Sequence, residues 1–185
     1  RRHKLREVTM AQFDIELVGK VGSMALVNKK WSDVDYNVLA HISRQLRPGY
    51  IWVTSGATEI GRIDYIRRTG KELKGAYTDV KSDYAAQGQA ILMESYRRYV
   101  NPMYGIRQIL VEHQHFNDDA KAESLKQLLL RCPEQGAIPI VNYNDPLSNE
   151  EIVKTEIQVL MQRKKHVVHC ADNDETAAQI ADLVK

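Results

Sequence analysis

Short β-type runs alternate with helical patterns along almost the whole chain, and this alternation restricts the fold more than any other feature. Phe13-Asp14-Ile15-Glu16-Leu17-Val18 alternates apolar and polar residues ahead of Gly19, as a half-buried strand does. Ser32, followed by Asp35, reads as a capping pair opening a helix whose stripe is Asp35, Val38, Leu39, Ile42 and Leu46, ended by Pro48-Gly49. Tyr50-Ile51-Trp52-Val53 is a buried run. Ser82 is positioned to cap a second helix with Ala85, Gln89, Leu92, Tyr96 and Tyr99 near one face, ending before Pro102. Arg107 to Val111 reads as a strand, and Ala122, Leu125, Leu128 and Leu129 as a helical stripe closed by Pro133 and Gly136. Ala137-Ile138-Pro139-Ile140-Val141 is a further apolar run, in which the proline predicts a strand start or an irregular strand. Glu150 to Met161 reads as a helix, His166 to Cys170 as a strand, and Ala177, Ile180, Ala181 and Val184 as a last helical stripe. Strand and helix in alternation imply βαβ units, so the expected class is α/β, a mostly parallel sheet with helices on both faces. The polar stretch from Gly61 to Lys81, with Gly70 and Gly75, is the expected mobile excursion.

A chain of 185 residues suits one domain, here residues 1–185. Lys plus Arg number 26 against 24 Asp plus Glu, so a net charge of +2 supplies no basic field for a phosphate backbone, and nucleic acid is not an expected partner. Cys132 and Cys170 form no C-x-x-C, which fits a reducing compartment, and the start Arg1 to Glu7 is followed by no apolar h-region. No apolar run approaches a membrane span, and the expected location is the cytoplasm. His113 and His115 would share the face of a strand but lack a third ligand, while His166 and His169 would face opposite ways. Metal ligands are therefore left unassigned. The charged runs Arg67-Arg68, Arg97-Arg98 and Gln162 to Lys165 read as solvated surface.

In an open parallel sheet, ligands bind beyond the carboxyl ends of the strands. Small polar clusters fall at such ends: Gly19-Lys20-Val21-Gly22-Ser23, Thr54-Ser55-Gly56-Ala57, Asn142-Tyr143-Asn144-Asp145 and Ala171-Asp172-Asn173-Asp174. The first offers glycines that let the backbone approach an anion, a hydroxyl and a lysine where the strand ends, without forming a Walker loop or G-x-G-x-x-G. Taken alone it reads rather as an ordinary strand-to-helix turn with a solvated lysine. Thr54 to Ala57 offers hydroxyls and unhindered amides for a carboxylate or phosphate, or simply a tight turn. Asn142, Asn144 and Asp145 bring amides and a carboxylate suited to a zwitterion, or to turn chemistry before Pro146. Asp172 and Asn173 stand where a helix cap belongs. Their convergence on one edge is what points to a site.

Lys20-Val21-Gly22-Ser23, Val53 to Ala57 with Gly61-Arg62, Ala85-Ala86-Gln87-Gly88-Gln89 with Leu92-Met93 and Tyr96, Gln108-Ile109-Leu110, Ile138 to Asp145, and Asp172-Asn173-Asp174 with Ala177-Ala178 resemble, in order, the motifs of the glutamate 5-kinase branch of the amino-acid kinase superfamily. The resemblance implies an αβα sandwich of the amino-acid and carbamate kinase type, of which these residues are the acceptor half and the start of the nucleotide half. It implies transfer of a phosphoryl group from ATP, with Mg2+, to the side-chain carboxylate of glutamate, the first step of proline synthesis, in a homo-oligomer. By similarity Lys20 neutralises the transferring group, with amides around Gly22 and Ser23 assisting, and Asp172 holds the catalytic lysines in place. Ser55 with Gly56 and Ala57, Asp145 and Asn173 bind the amino acid, and Asn142 and Asn144 shape that loop. The chain departs from the pattern at Tyr143, where the family has Glu, at Ala171, where it has Gly, and in a longer segment between Asp145 and Asp172. No residue up to Lys185 takes the role of the family's second phosphate-binding lysine. Two rival readings follow: an amino-acid-binding regulatory module without catalysis, and, because of Tyr143, a kinase of the same superfamily with another acceptor.

Overall fold

The computed structural model describes residues 14–28, 33–148, 150–163, 166–170 and 172–185. Arg1 to Glu7, Phe13 of the first expected strand, the expected cap Ser32, Lys164-Lys165 and Ala171 lie outside them. In chain order the elements are β1 (Leu17–Val21), α1 (Ser23–Leu26), β2 (Val27–Asn28), β3 (Asp33–Val34), α2 (Tyr36–Gln45), β4 (Tyr50–Thr54), α3 (Ala57–Thr69) and α4 (Tyr77–Tyr99). They continue with β5 (Gly105–Val111), α5 (Gln114–Asn117), α6 (Asp119–Glu134), β6 (Ala137–Tyr143), α7 (Glu150–Arg163) and α8 (Asn173–Leu183).

The main sheet is four-stranded and parallel, in the order β1-β4-β6-β5, with β2 and β3 forming a small antiparallel pair apart from it. Alternation along the strands sends side chains to opposite faces. Ile138, Ile140 and Trp52 pack with Leu39, Ile60, Leu92 and Tyr96 of α2, α3 and α4, whereas Ile51, Val53 and Val141 pack with Leu125, Leu129 and Ile180 of α6 and α8. The α/β class with helices on both faces is therefore the observed one.

Several local expectations are corrected. The first strand is Leu17–Val21 rather than 13–18, so Gly19 and Lys20 lie within it. Gly19 is there because the Trp52 ring fills the space of a side chain, with a ring carbon 2.3 Å from where a Cβ would stand. Asp35 is the N-cap of α2 and not part of its stripe, its carboxylate accepting from the amides of Asn37 and Val38 at 3.1 Å each. Helix α4 begins at Tyr77, so Ser82 lies inside it and does not cap it; its hydroxyl donates instead to the carbonyl of Pro146. The supposed excursion 61–81 is mostly helical, because Gly61 and Gly88 let α3 and α4 cross with backbones in contact. A Cβ on Gly61 would stand 1.8 Å from the Tyr84 carbonyl oxygen, and one on Gly88 equally close to that of Ala57.

Helix α6 runs through Pro133 to Glu134, and β6 is a regular, fully buried central strand despite Pro139. Its ladder with β4 begins only at Ile140, just past the residue that has no N–H to give. Residues 166–170 are not a strand. The side-chain amide of Asn117 substitutes for a neighbouring strand there, donating to the Val168 carbonyl and accepting from its N–H, both at 2.8 Å. No helix among the described residues is long and apolar enough to cross a membrane.

Candidate functional site

The strand-end clusters meet, and specific contacts tie each to the next. Lys20 leaves β1 near its end, and its Nζ lies 3.5 Å from where a Cβ on Gly22 would be, so the bare backbone at Gly22 makes room for the ammonium. That ammonium pairs with Asp174 Oδ1 at 2.5 Å, joining the first cluster to α8. Asp172 is the N-cap of α8: its Oδ1 accepts from the amides of Asp174 at 2.8 Å and Glu175 at 2.9 Å. The lysine's direct carboxylate partner is thus Asp174, a member of the motif to which the sequence assigns no role. Asp172 reaches Lys20 only by fixing the turn that presents Asp174.

Ser55 and Gly56 form the turn between β4 and α3. Gly56 is left-handed (φ +98°) and approaches Ser23, whose Cα is 3.7 Å from the position of a Cβ on Gly56. A side chain at Gly56 would be strained in that conformation. Behind the turn, Thr54 Oγ1 and Tyr96 Oη lie 2.9 Å apart, and the Trp52 indole N–H donates to the same hydroxyl at 3.0 Å. Burial pushes the Tyr96 phenol up to about 12, so it stays protonated as a structural hydrogen-bonding group. Ala57 is buried under α4.

Asn173 Oδ1 accepts from the backbone N–H of Tyr143 at 2.9 Å, joining the end of β6 to α8 and leaving the Asn173 amide nitrogen for other partners. Asn142 does not reach toward the open edge. It is 1% exposed and donates to Gln89 Oε1 at 2.8 Å, and Gln89 donates in turn to Gln108 Oε1 at 3.2 Å, so it braces the loop from beneath. Asn144 donates to Glu112 Oε1 at 2.6 Å and braces it from the β5 side. Asp145 faces the cavity. Burial raises its carboxyl above the usual range, Lys81 opposes that shift, and Glu59 adds to it.

Between the 143–148 loop, α7 and the start of α8 lies a cavity of about 360 Å3, bordered by Tyr143, Asp145, Lys154, His169, Asp172 and Glu175. A second, of about 390 Å3, continues toward the start of α4 and shares Lys81, Asp145, Ser148 and Lys154 with it. These volumes suit a small-molecule ligand. Tyr143 is buried and closes the cavity floor: its hydroxyl donates to the Cys170 carbonyl at 3.2 Å and accepts from Ser148 at 3.1 Å. Sequence reasoning does not pick out Lys81 or Lys154. Each is a lone lysine on a helix, and only the tertiary packing of α4 and α7 brings them to one space.

The histidines are not arranged as expected for a strand. His113 precedes α5 and is buried, with Nε2 2.7 Å from Glu156 Oε2 on α7, while His115 lies in α5 and its Nδ1 accepts from the Glu112 N–H at 2.9 Å. Among the described residues no group of three His, Cys, Asp or Glu side chains is placed to hold a metal ion. Cys132 and Cys170 are both free and buried.

No family model matches the chain. It is similar to glutamate 5-kinase from Alkaliphilus metalliredigens, 31% identical over 144 residues that cover 74% of this chain and 53% of the relative. Glutamate 5-kinase from Streptococcus suis is 31% identical over 176 residues, covering 91% of this chain and 43% of that enzyme. The enzyme of that name from Thermus thermophilus is 28% identical over 176 residues, 91% of this chain and 42% of the relative. The chain spans about half the length of these curated relatives or less, and its relationship to them is a distant one.

Proposed function

We propose that this chain is the acceptor-binding part of an amino-acid kinase that transfers the γ-phosphoryl group of ATP to the side-chain carboxylate of glutamate, as the first step of proline synthesis. The observation that carries the reading is the joined edge, where Lys20 at the end of β1 pairs with Asp174 of the α8 turn, Asn173 of that turn holds the end of β6, the left-handed Gly56 turn approaches Ser23, and Asp145 and Asp172 border the adjoining cavity. The similarity to proteins named glutamate 5-kinase supports the choice of acceptor.

In this mechanism a carboxylate oxygen of glutamate attacks the γ-phosphorus, the bond to the ADP oxygen breaks, and an acyl phosphate forms. A carboxylate is already ionised at neutral pH, so no general base is needed. The demand falls on alignment and on charge. Lys20 neutralises the transferring oxygens, with backbone amides at Gly22 and Ser23 beside it, and Asp174 keeps the ammonium at the strand end between turnovers. Asp172 fixes that arrangement through the α8 cap. Ser55, Asp145 and the amide nitrogen of Asn173 hold the amino acid, with Gly56 and Ala57 giving the turn its shape. Donors at this edge suit phosphate oxygens rather than a protein-made cation cage, so Mg2+ fits as an ion carried by the nucleotide, with Asp172 and Asp174 as the carboxylates able to complete its oxygen shell. When bound, the ion neutralises charge on the phosphates.

The test is incubation of the full-length protein containing this chain with ATP, Mg2+ and glutamate, trapping the acyl phosphate as its hydroxamate. Absence of hydroxamate above background overturns the reading. Lys20→Ala is expected to lower turnover by about 10²–10³-fold, the usual consequence of removing one transition-state donor. A loss below threefold in a folded variant would remove Lys20 from its role.

A further inference from the structure

The cavity beneath α7 contains a positive charge that none of the acceptor-binding roles above uses. Lys154 borders both parts of the cavity. It follows Val153, which with Ile157 is 7% exposed and seats the inner side of α7 on the body of the protein. The buried His113, 2.7 Å from Glu156, holds the same helix from the α5 side, so Lys154 is carried on an anchored element. Lys81 shares the cavity but already has interactions of its own. Lys154 makes no ion pair among the described residues. Asp145, on the loop after β6, borders both parts of the cavity as well.

A carboxylate and an unpaired ammonium facing one space are the complement of an α-amino acid, which carries an ammonium and a carboxylate on a single carbon. We propose that Lys154 is the specificity-determining residue that holds the acceptor's α-carboxylate while Asp145 takes its ammonium, leaving the side-chain carboxylate to be directed toward Lys20. The assignment rests on the amino-acid kinase reading above. Through it α7, the helix in the lengthened segment between Asp145 and Asp172, selects acceptors that retain the α-carboxylate.

Calorimetric titration of the full-length protein tests it, with glutamate and with 4-aminobutyrate, which keeps the ammonium and the side-chain carboxylate but lacks the α-carboxylate. Lys154→Met retains the stem and removes the charge. It is expected to weaken glutamate binding by about tenfold or more, the scale of one lost charge-assisted hydrogen bond, with the melting temperature unchanged. Lys154→Arg is expected to recover most of that loss, and 4-aminobutyrate is expected to respond to neither change. Glutamate binding unaltered in Lys154→Met, or weakened to the same degree as 4-aminobutyrate binding, overturns the assignment while leaving the kinase reading standing. Wild-type protein that binds no glutamate overturns the kinase reading itself and the assignment with it.

Discussion

Where α3 crosses α4, the backbones themselves touch: Gly61 lies against the Tyr84 carbonyl and Gly88 against that of Ala57, with no space for even a methyl group. On the other side of the edge, α7 and residues 166–170 reach the body of the protein through side chains, the His113 to Glu156 contact, the Asn117 amide on Val168 and the Tyr143 hydroxyl on the Cys170 carbonyl. Backbone contact leaves one geometry, whereas side-chain links allow sequence change and small movements at modest cost. The turn that carries Ser55 is fixed by the first kind of wall, because Ala57 opens α3 directly beneath Gly88. The residues proposed to choose the acceptor stand in the second. In the proposed function the amino acid is thus held between a wall in backbone contact, which carries Ser55, and a wall held by side chains, which carries Lys154.

The largest expected effect tests the stiff wall. Gly88→Ala puts a Cβ 1.8 Å from the Ala57 carbonyl oxygen and 2.5 Å from the Gly61 nitrogen, so the helices must separate. A loss of about 3 kcal/mol or more is expected in urea unfolding, at the upper end for overpacking. A loss below about 1 kcal/mol would show that the crossing yields, and the contrast between the walls would fail. Asn117→Ala, on the pinned wall, strips the Val168 N–H and carbonyl of their partner. About 2 kcal/mol is expected, together with faster amide exchange confined to 166–170 and the start of α8; exchange that rises equally in α3 and α4 would mean the walls are one cooperative unit. Tyr143→Phe removes a single hydroxyl with two partners and should cost about 1 kcal/mol, read by the same unfolding experiment.

The smallest effect has the opposite sign. Burial disfavours ionised Asp145, so its carboxyl titrates higher in the folded protein than in the unfolded chain. The penalty is absent below the ordinary carboxylate range, where both states are protonated, and complete once pH has risen past the folded value. Asp145→Asn should therefore raise the melting temperature at neutral pH, by at most about 2–4 °C, and the gain should fade on acidification as the wild-type carboxyl takes up its proton. A stabilisation independent of pH would show that charge burial is not its cause. Loss of glutamate binding in this variant is the expected functional counterpart.

The contrast also explains how much can be read from the sequence. The periodicity of Ile51 and Val53 against Trp52, and of Leu92 and Tyr96 along α4, reports burial on two sheet faces, and burial is what hydrophobic pattern encodes. The turn residues Gly22, Ser55 and Asp172 are legible because caps and tight turns require particular residue types. Gly61 misleads because a glycine that permits a helix crossing has the same local signature as one in a loop, and only the partner Gly88 separates the cases. Residues 166–170 mimic a strand because Val167, Val168 and Cys170 pattern like one, while the partner that satisfies Val168 is a side chain from a distant segment. Lys154 has no signal at all, since nothing local distinguishes a cavity lysine from a solvated one. The role of Asp174 is hidden by the neighbouring Asp172, which the capping rule explains fully without showing which carboxylate the lysine would choose.

The hydrogen bond from the Trp52 indole to Tyr96 gives the protein a built-in optical gauge. Indole emission is sensitive to whether its N–H is engaged, and the hydroxyl that engages it also touches Thr54, immediately before Ser55. The chain has only one other tryptophan, Trp31, so Trp31→Phe leaves a single emitter two bonds of this relay away from the Ser55 turn. If the proposed amino acid binds at that turn, its arrival is expected to register as a change in fluorescence without any attached dye.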